Sequence, residues 1–163
     1  MPLFVAYILV GVLFHIISNR FQYKNIIIVG NTIIFLSLIA ILLVSIIFDQ
    51  TTIGYTLMLI CAFFIGIGGN LSQLSFFAMI NYLSQNVVSK FTVGTAVSGL
   101  FITGVRVVIT LIFGVEDKSS TPIIIYFVIA LAFNVMDMFL NIYFCNSKIY
   151  KNTIEPFTLQ QDM

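Results

Sequence analysis

Long apolar runs alternate with short polar breaks along this chain. A transmembrane helix needs about 20 mostly apolar residues, and the pattern predicts five, over about residues 2–18, 25–48, 53–83, 92–114 and 122–145. The third run is long enough to tilt or to project past the hydrocarbon. The runs are unbroken and lack the period-two alternation of a transmembrane β-barrel. The fold class expected is therefore an all-α polytopic membrane protein, with a bundle over about 1–145 and a polar tail over 146–163.

Composition narrows the function classes. Of 163 residues, 60% are hydrophobic and 8% charged, against about 45–50% and 25% in soluble domains. That excludes a soluble globular domain and a disordered chain. A formal charge of +1 leaves no electrostatic footprint for nucleic acid. Two cysteines and one histidine are too few for a zinc or iron–sulfur site unaided, so no metal or cofactor is expected. No Ser/His/Asp or Cys/His grouping and no pair of carboxylates converges, so nothing points to an enzyme. Gly66-Ile67-Gly68-Gly69 has no βαβ unit around it and is not a dinucleotide loop. Asn70-Leu71-Ser72 is a glycosylation sequon by letters alone, since it lies within a span. Cys145, at a span boundary, is a candidate for lipidation.

The charges then set an orientation. Arg20 and Lys24 follow the first span, Lys90 the third, and Lys148 and Lys151 open the tail. The other two loops carry Asp49 and the group Glu116, Asp117 and Lys118. The positive-inside rule places the more basic loops and the tail in the cytoplasm and Met1 outside. Met1-Pro2-Leu3 opens straight into a span, and an external N-terminus there predicts a fragment whose complete protein has a preceding helix. A short protein with an external N-terminus is the alternative.

Polar residues inside spans are costly and usually face a bundle interior or a wet cavity. In the third span Ala62, Gly66, Gly69, Gln73 and Phe76 share one stripe by 3–4 spacing, with Asn70 beside it. Small residues there admit a neighbouring backbone. Gln73 either reads a ligand or hydrogen-bonds a neighbouring helix. In the fourth span Thr95, Gly99, Thr103, Arg106 and Thr110 form a second stripe, and Gly94 and Ser98 a small-xxx-small pair on its flank. Arg106 stays charged and lies roughly 12 Å from the outer end at 1.5 Å per residue. Asp137 is the one carboxylate within the spans, about 10 Å from Arg106 along the axis, too far for a direct ion pair without helix shifts or a bridging water. His15, one turn from a span end, is read as interfacial.

With these residues in view, the chain resembles the equilibrative nucleoside transporter family. The family's fourth helix carries a Gly-x-x-x-Gln-Gly-Ser-x-Phe-Gly type of run. Here Gly69, Gln73, Ser75 and Phe77 match it, while Leu74 and Ala78 replace family glycines. Its fifth helix, in plant and protist members, is similar to Gly94-Thr95-Ala96-Val97-Ser98-Gly99 followed by Arg106. The Pro2-Leu3-Phe4 opening looks like the second helix, and the last span with its Lys148-Ile149-Tyr150-Lys151 ending looks like the sixth. The resemblance implies a major-facilitator-like fold, with this chain as helices two to six of the N-terminal half. It implies facilitated diffusion of nucleosides or nucleobases, with Gln73, Gly69 and Leu3 binding substrate. Gly66, Gly94, Ser98, Gly99 and Arg106 would serve helix packing or gating, and the partner would be a missing second half or further copies of the chain. Two other classes fit the same residues: a non-transporting assembly or scaffold subunit, and a transporter of another small solute.

Overall fold

The described helix ends have local causes. The structure, a computed structural model, describes residues 10–12, 14, 21–48, 51–83, 85–114, 121–148 and 150–154. They form four long helices, α1 (Tyr23–Ile47), α2 (Thr52–Ile80), α3 (Gln85–Phe113) and α4 (Thr121–Asn146), and a π-helical turn, Tyr150–Ile154. All four helices are long and apolar enough to cross a membrane, and no strand occurs among the described residues. They correspond to the second through fifth predicted spans. Residues 10–12 and 14 of the first are helical. The rest of that span, including Leu3 and His15, lies outside the described residues.

The Thr51 hydroxyl accepts the Gly54 N–H at 3.0 Å and caps α2, supplying one of the partners that a helix start lacks. At the end of α3, Gly114 adopts φ 79°, the left-handed conformation glycine takes most easily after a helix, and its N–H returns to the Thr110 carbonyl at 2.9 Å. Pro122 sits in the first turn of α4, where its missing N–H costs nothing.

Two boundaries differ from the expectation. α3 begins at Gln85 rather than at about residue 92, so Lys90 stands on a helix and not in a loop. The segment 85–91 holds polar residues but neither glycine nor proline; polarity there marks where an apolar stretch ends, not where the helix ends. For the same reason Lys24 lies in the first turn of α1. Lys24, Lys90, Lys148 and Lys151 nonetheless gather at one end of the bundle, because consecutive helices run antiparallel.

The tightest packing joins α1 to α2. A Cβ added at Gly30 would stand 2.5 Å from the Ser72 Oγ and 2.7 Å from the Gly68 carbonyl oxygen. One added at Gly68 would stand 2.5 Å from the Gly30 carbonyl oxygen. Only glycine on both sides allows this approach. Below the crossing, toward the basic end, Tyr23, Ile26, Ile27, Leu71, Met79, Cys145 and Tyr150 form an apolar core that also takes in Val10. Phe76 joins α2 to two other helices at that end. Its ring lies 6.0 Å from Phe91 of α3 and 6.2 Å from Phe144 of α4. Tyr150, in the predicted polar tail, folds back to within 6.2 Å of Phe144. Cys145 is buried in this core, so its thiol is not presented for lipidation.

α3 leaves the bundle as it rises from Phe91. Along its length only Ile109 is buried, and its mid-helix contact with α4 is the edge-to-face pair Phe101–Phe133 at 5.4 Å. Gly94 and Gly99 accordingly face open space, where a Cβ would meet nothing within 4 Å.

These contrasts predict opposite outcomes for similar changes. Gly68→Val forces α1 and α2 apart and lowers stability by roughly 2 kcal/mol or more, read as a fall in Tm of the detergent-solubilised protein. Gly99→Ala, on an open helix face, leaves Tm within about a degree or raises it, since alanine favours helix over glycine by about 1 kcal/mol. Equal losses for the two would refute the Gly30–Gly68 crossing.

Candidate functional site

An asparagine inside an apolar helix needs partners for its amide oxygen and its amide nitrogen. Asn31 of α1, 2% exposed, finds them on two other helices. Its Oδ1 accepts the Ser72 hydroxyl of α2 at 2.8 Å. Its Nδ2 donates to Asp137 Oδ2 of α4 at 3.0 Å. The Asn141 amide, one turn along α4, donates to the same Asp137 oxygen at 2.9 Å. The four residues form a continuous tie across three helices.

Helix register makes the tie possible. Asn31 lies eight residues from Tyr23 at the start of α1, Ser72 eight from Ile80 at the end of α2, and Asp137 nine from Asn146 at the end of α4. At 1.5 Å per residue each is roughly 12–14 Å from the same end of the bundle. The side chains meet because they sit at one level.

Beside the tie, between α3 and the other helices, opens a cleft of about 900 Å³. Ile34, Leu38 and Ile41 of α1 and Ala62 and Ile65 of α2 make its apolar back. Gly94, Ser98, Phe101 and Val105 of α3 and Tyr126, Phe127, Phe133, Asn134 and Asp137 of α4 make its sides. One end is therefore aromatic and the other polar. Asp137 is exposed along this wall, with Oδ2 engaged by the two amides. Asn134, one turn away, has a side-chain oxygen with no hydrogen-bond partner among the described residues.

The residues picked out in the sequence separate into groups. Gly94 and Ser98 line the cleft. Gly69 and Gln73 are half-buried on α2 and are not among the cleft-lining residues. Gln73 falls on the stripe between Ala62, which lines the cleft, and Phe76, which meets Phe91 and Phe144. Gly66 is buried. Leu3 lies outside the described residues. Arg106 lines a smaller hollow of about 300 Å³ with Ile109, Thr110, Pro122, Tyr126 and Phe127 and has no ion-pair partner among the described residues. Asp137 turns to amides instead of to Arg106. The hydroxyls of the α3 stripe are satisfied within their own helix, Thr95 by the Phe91 carbonyl, Thr103 by Gly99 and Thr110 by Arg106, at 2.9–3.0 Å. They need no neighbouring helix.

Comparison with family models, curated proteins and solved structures finds no match.

Removing the central amide should cost the most. Asn31→Leu leaves the Ser72 hydroxyl only its longer contact to the Ile27 carbonyl, 3.4 Å, and takes one donor from Asp137, and unfolding measurements should show a loss of about 1–2 kcal/mol. Asn134→Leu removes an amide whose oxygen has no partner and should cost less than half as much. A larger loss at Asn134 than at Asn31 would contradict the tie.

Proposed function

We propose that the chain forms part of a transporter that moves nucleosides or nucleobases down their gradient by alternating access. The cleft carries this reading. Small-molecule sites typically occupy about 300–1,000 Å³ and are mostly apolar with a few converging polar groups, and the cleft between α3 and the rest of the bundle has that size and character. Phe101, Tyr126, Phe127 and Phe133 offer ring surfaces for a flat base, and Ser98 and Asp137 offer acceptors for donor groups. The sequence resemblance through Gly69, Gln73, Ser75 and Phe77 on α2, and through Gly94 to Gly99 and Arg106 on α3, supports the same class of substrate.

The fold in this proposal is facilitator-like, with substrate held between two bundles near the midplane. The basic end, with Lys24, Lys90, Lys148 and Lys151, faces the cytoplasm. α3, exposed along most of its length and bearing Arg106, is the face over which a second bundle closes, either another half or a further copy. Gln73, on the stripe between the cleft and the Phe76 cluster, meets substrate when the helices rock, and Gly69 leaves the space for it. Arg106 serves packing or gating from the separate hollow.

Uptake of radiolabelled adenosine, uridine and hypoxanthine into proteoliposomes tests the proposal. The expected result is saturable uptake that equilibrates without accumulation and that Gln73→Ala reduces at least tenfold. Absence of uptake for all three, with the protein folded and inserted, would refute transport. Unchanged uptake in Gln73→Ala would refute the role given to that residue.

A further inference from the structure

Asp137 brings a carboxylate to the cleft, and none of the described residues lining that cleft is Lys, Arg or His. Arg106 belongs to the other hollow, beside Tyr126 and Phe127. The neighbours that Asp137 does have, Asn31 and Asn141, donate hydrogen bonds to one of its oxygens but are neutral. They hold the side chain in place without cancelling its charge. A carboxylate beside apolar walls favours a cation as its partner, and no described residue lining the cleft supplies one.

The surroundings define the form of that cation. Asn134, one turn from Asp137 on the same wall, has a side-chain oxygen with no partner among the described residues. That oxygen is itself buried, so the group open to a ligand at this end of the wall is the Asp137 carboxylate, with one oxygen not taken by the two amides. The edge-to-face pair Phe101–Phe133, with centroids 5.4 Å apart, lines the same cleft immediately beyond. Ring faces attract cations and stack on flat molecules. From Asp137 to Phe133 is four residues of α4, roughly 6 Å along the axis, about the distance from an amino group across a fused ring. We propose that the cleft binds a protonated aromatic amine, with its N–H groups on Asp137 and its rings laid against the exposed surfaces of the Phe101–Phe133 pair. Such a cation is a different ligand class from a neutral nucleoside, and its binding stands whether or not nucleosides are carried.

Two dyes of the same three-ring shape test this at neutral pH: 9-aminoacridine, which is protonated there, and acridine, which is neutral. Fluorescence titration uses the whole chain in phosphatidylcholine nanodiscs, with the signal of empty nanodiscs subtracted. Wild type should bind 9-aminoacridine at least ten times more tightly than acridine. Asp137→Asn should bring that ratio near one while keeping the acridine affinity, which shows that the cleft persists, and Asp137→Glu should restore most of the ratio. Similar affinities for the two dyes in wild type, or a ratio that survives Asp137→Asn, would overturn the proposal. Should Asp137→Asn not fold, Phe101→Ala, on a helix outside the hydrogen-bonded tie, decides. Several-fold weaker binding of both dyes supports the cleft as their site, and unchanged binding overturns it.

Discussion

Asn31 carries an amide into the apolar interior, where a donor or acceptor left alone costs about 1–3 kcal/mol. Its oxygen and its nitrogen are satisfied by side chains from two different helices, Ser72 on α2 and Asp137 on α4. That requirement sets the vertical register of three helices at once. It also needs α1 and α2 closer than ordinary side chains permit, and the facing glycines Gly30 and Gly68, immediately next to the tie in space, supply that approach. The glycine crossing and the hydrogen-bonded tie are one device: the first brings the helices near, and the second fixes where along their length they meet.

The rest of the architecture follows from the height of this device. It lies toward the basic end, and below it the apolar core around Tyr23, Met79, Cys145 and Tyr150 closes tightly. Above it α1, α2 and α4 have no comparable tie to α3. α3 is held near its start, where Phe91 meets Phe76 and Phe77, and at mid-length by the Phe101–Phe133 pair. Around those contacts the helix stands off, and the cleft, lined on α3 from Gly94 to Val105, is the space that results. Toward the other end α3 keeps a contact with α4 around the buried Ile109, and among the described helices α3 is the one with the fewest ties to the rest.

Much of this was legible in the sequence because it depends on period and length alone. Four of the five apolar runs correspond to helices within a few residues, except for the start of α3, where a polar but helix-compatible segment continues the helix. The side-chain partnerships were less legible. Gly66 and Gly69 form the natural small-residue stripe with Gln73, yet the close approach is made by Gly68, one position over, because its opposite number on α1 is Gly30. A single helix shows which faces are small but not which face a neighbour takes. Asn31 does not stand out among the apolar residues of α1. Its signal is an amide well inside the span, unlike that of Asn25 at the helix start, at a distance from one helix end that matches those of Ser72 and Asp137. Arg106 and Asp137, the two charges within spans, invite pairing by sign, and register separates them.

A cleft that handles solute must be reached by water and solute. Substituted-cysteine accessibility tests this. In a background with Cys61 and Cys145 changed to serine, Ser98→Cys places a thiol on the cleft wall from α3. A membrane-impermeant thiol reagent should label it in proteoliposomes, and adenosine should slow the labelling in a saturable way. Labelling no faster than at Leu111→Cys, on an exposed face of α3 outside the cleft, or a rate indifferent to adenosine, would contradict the cleft as a solute site.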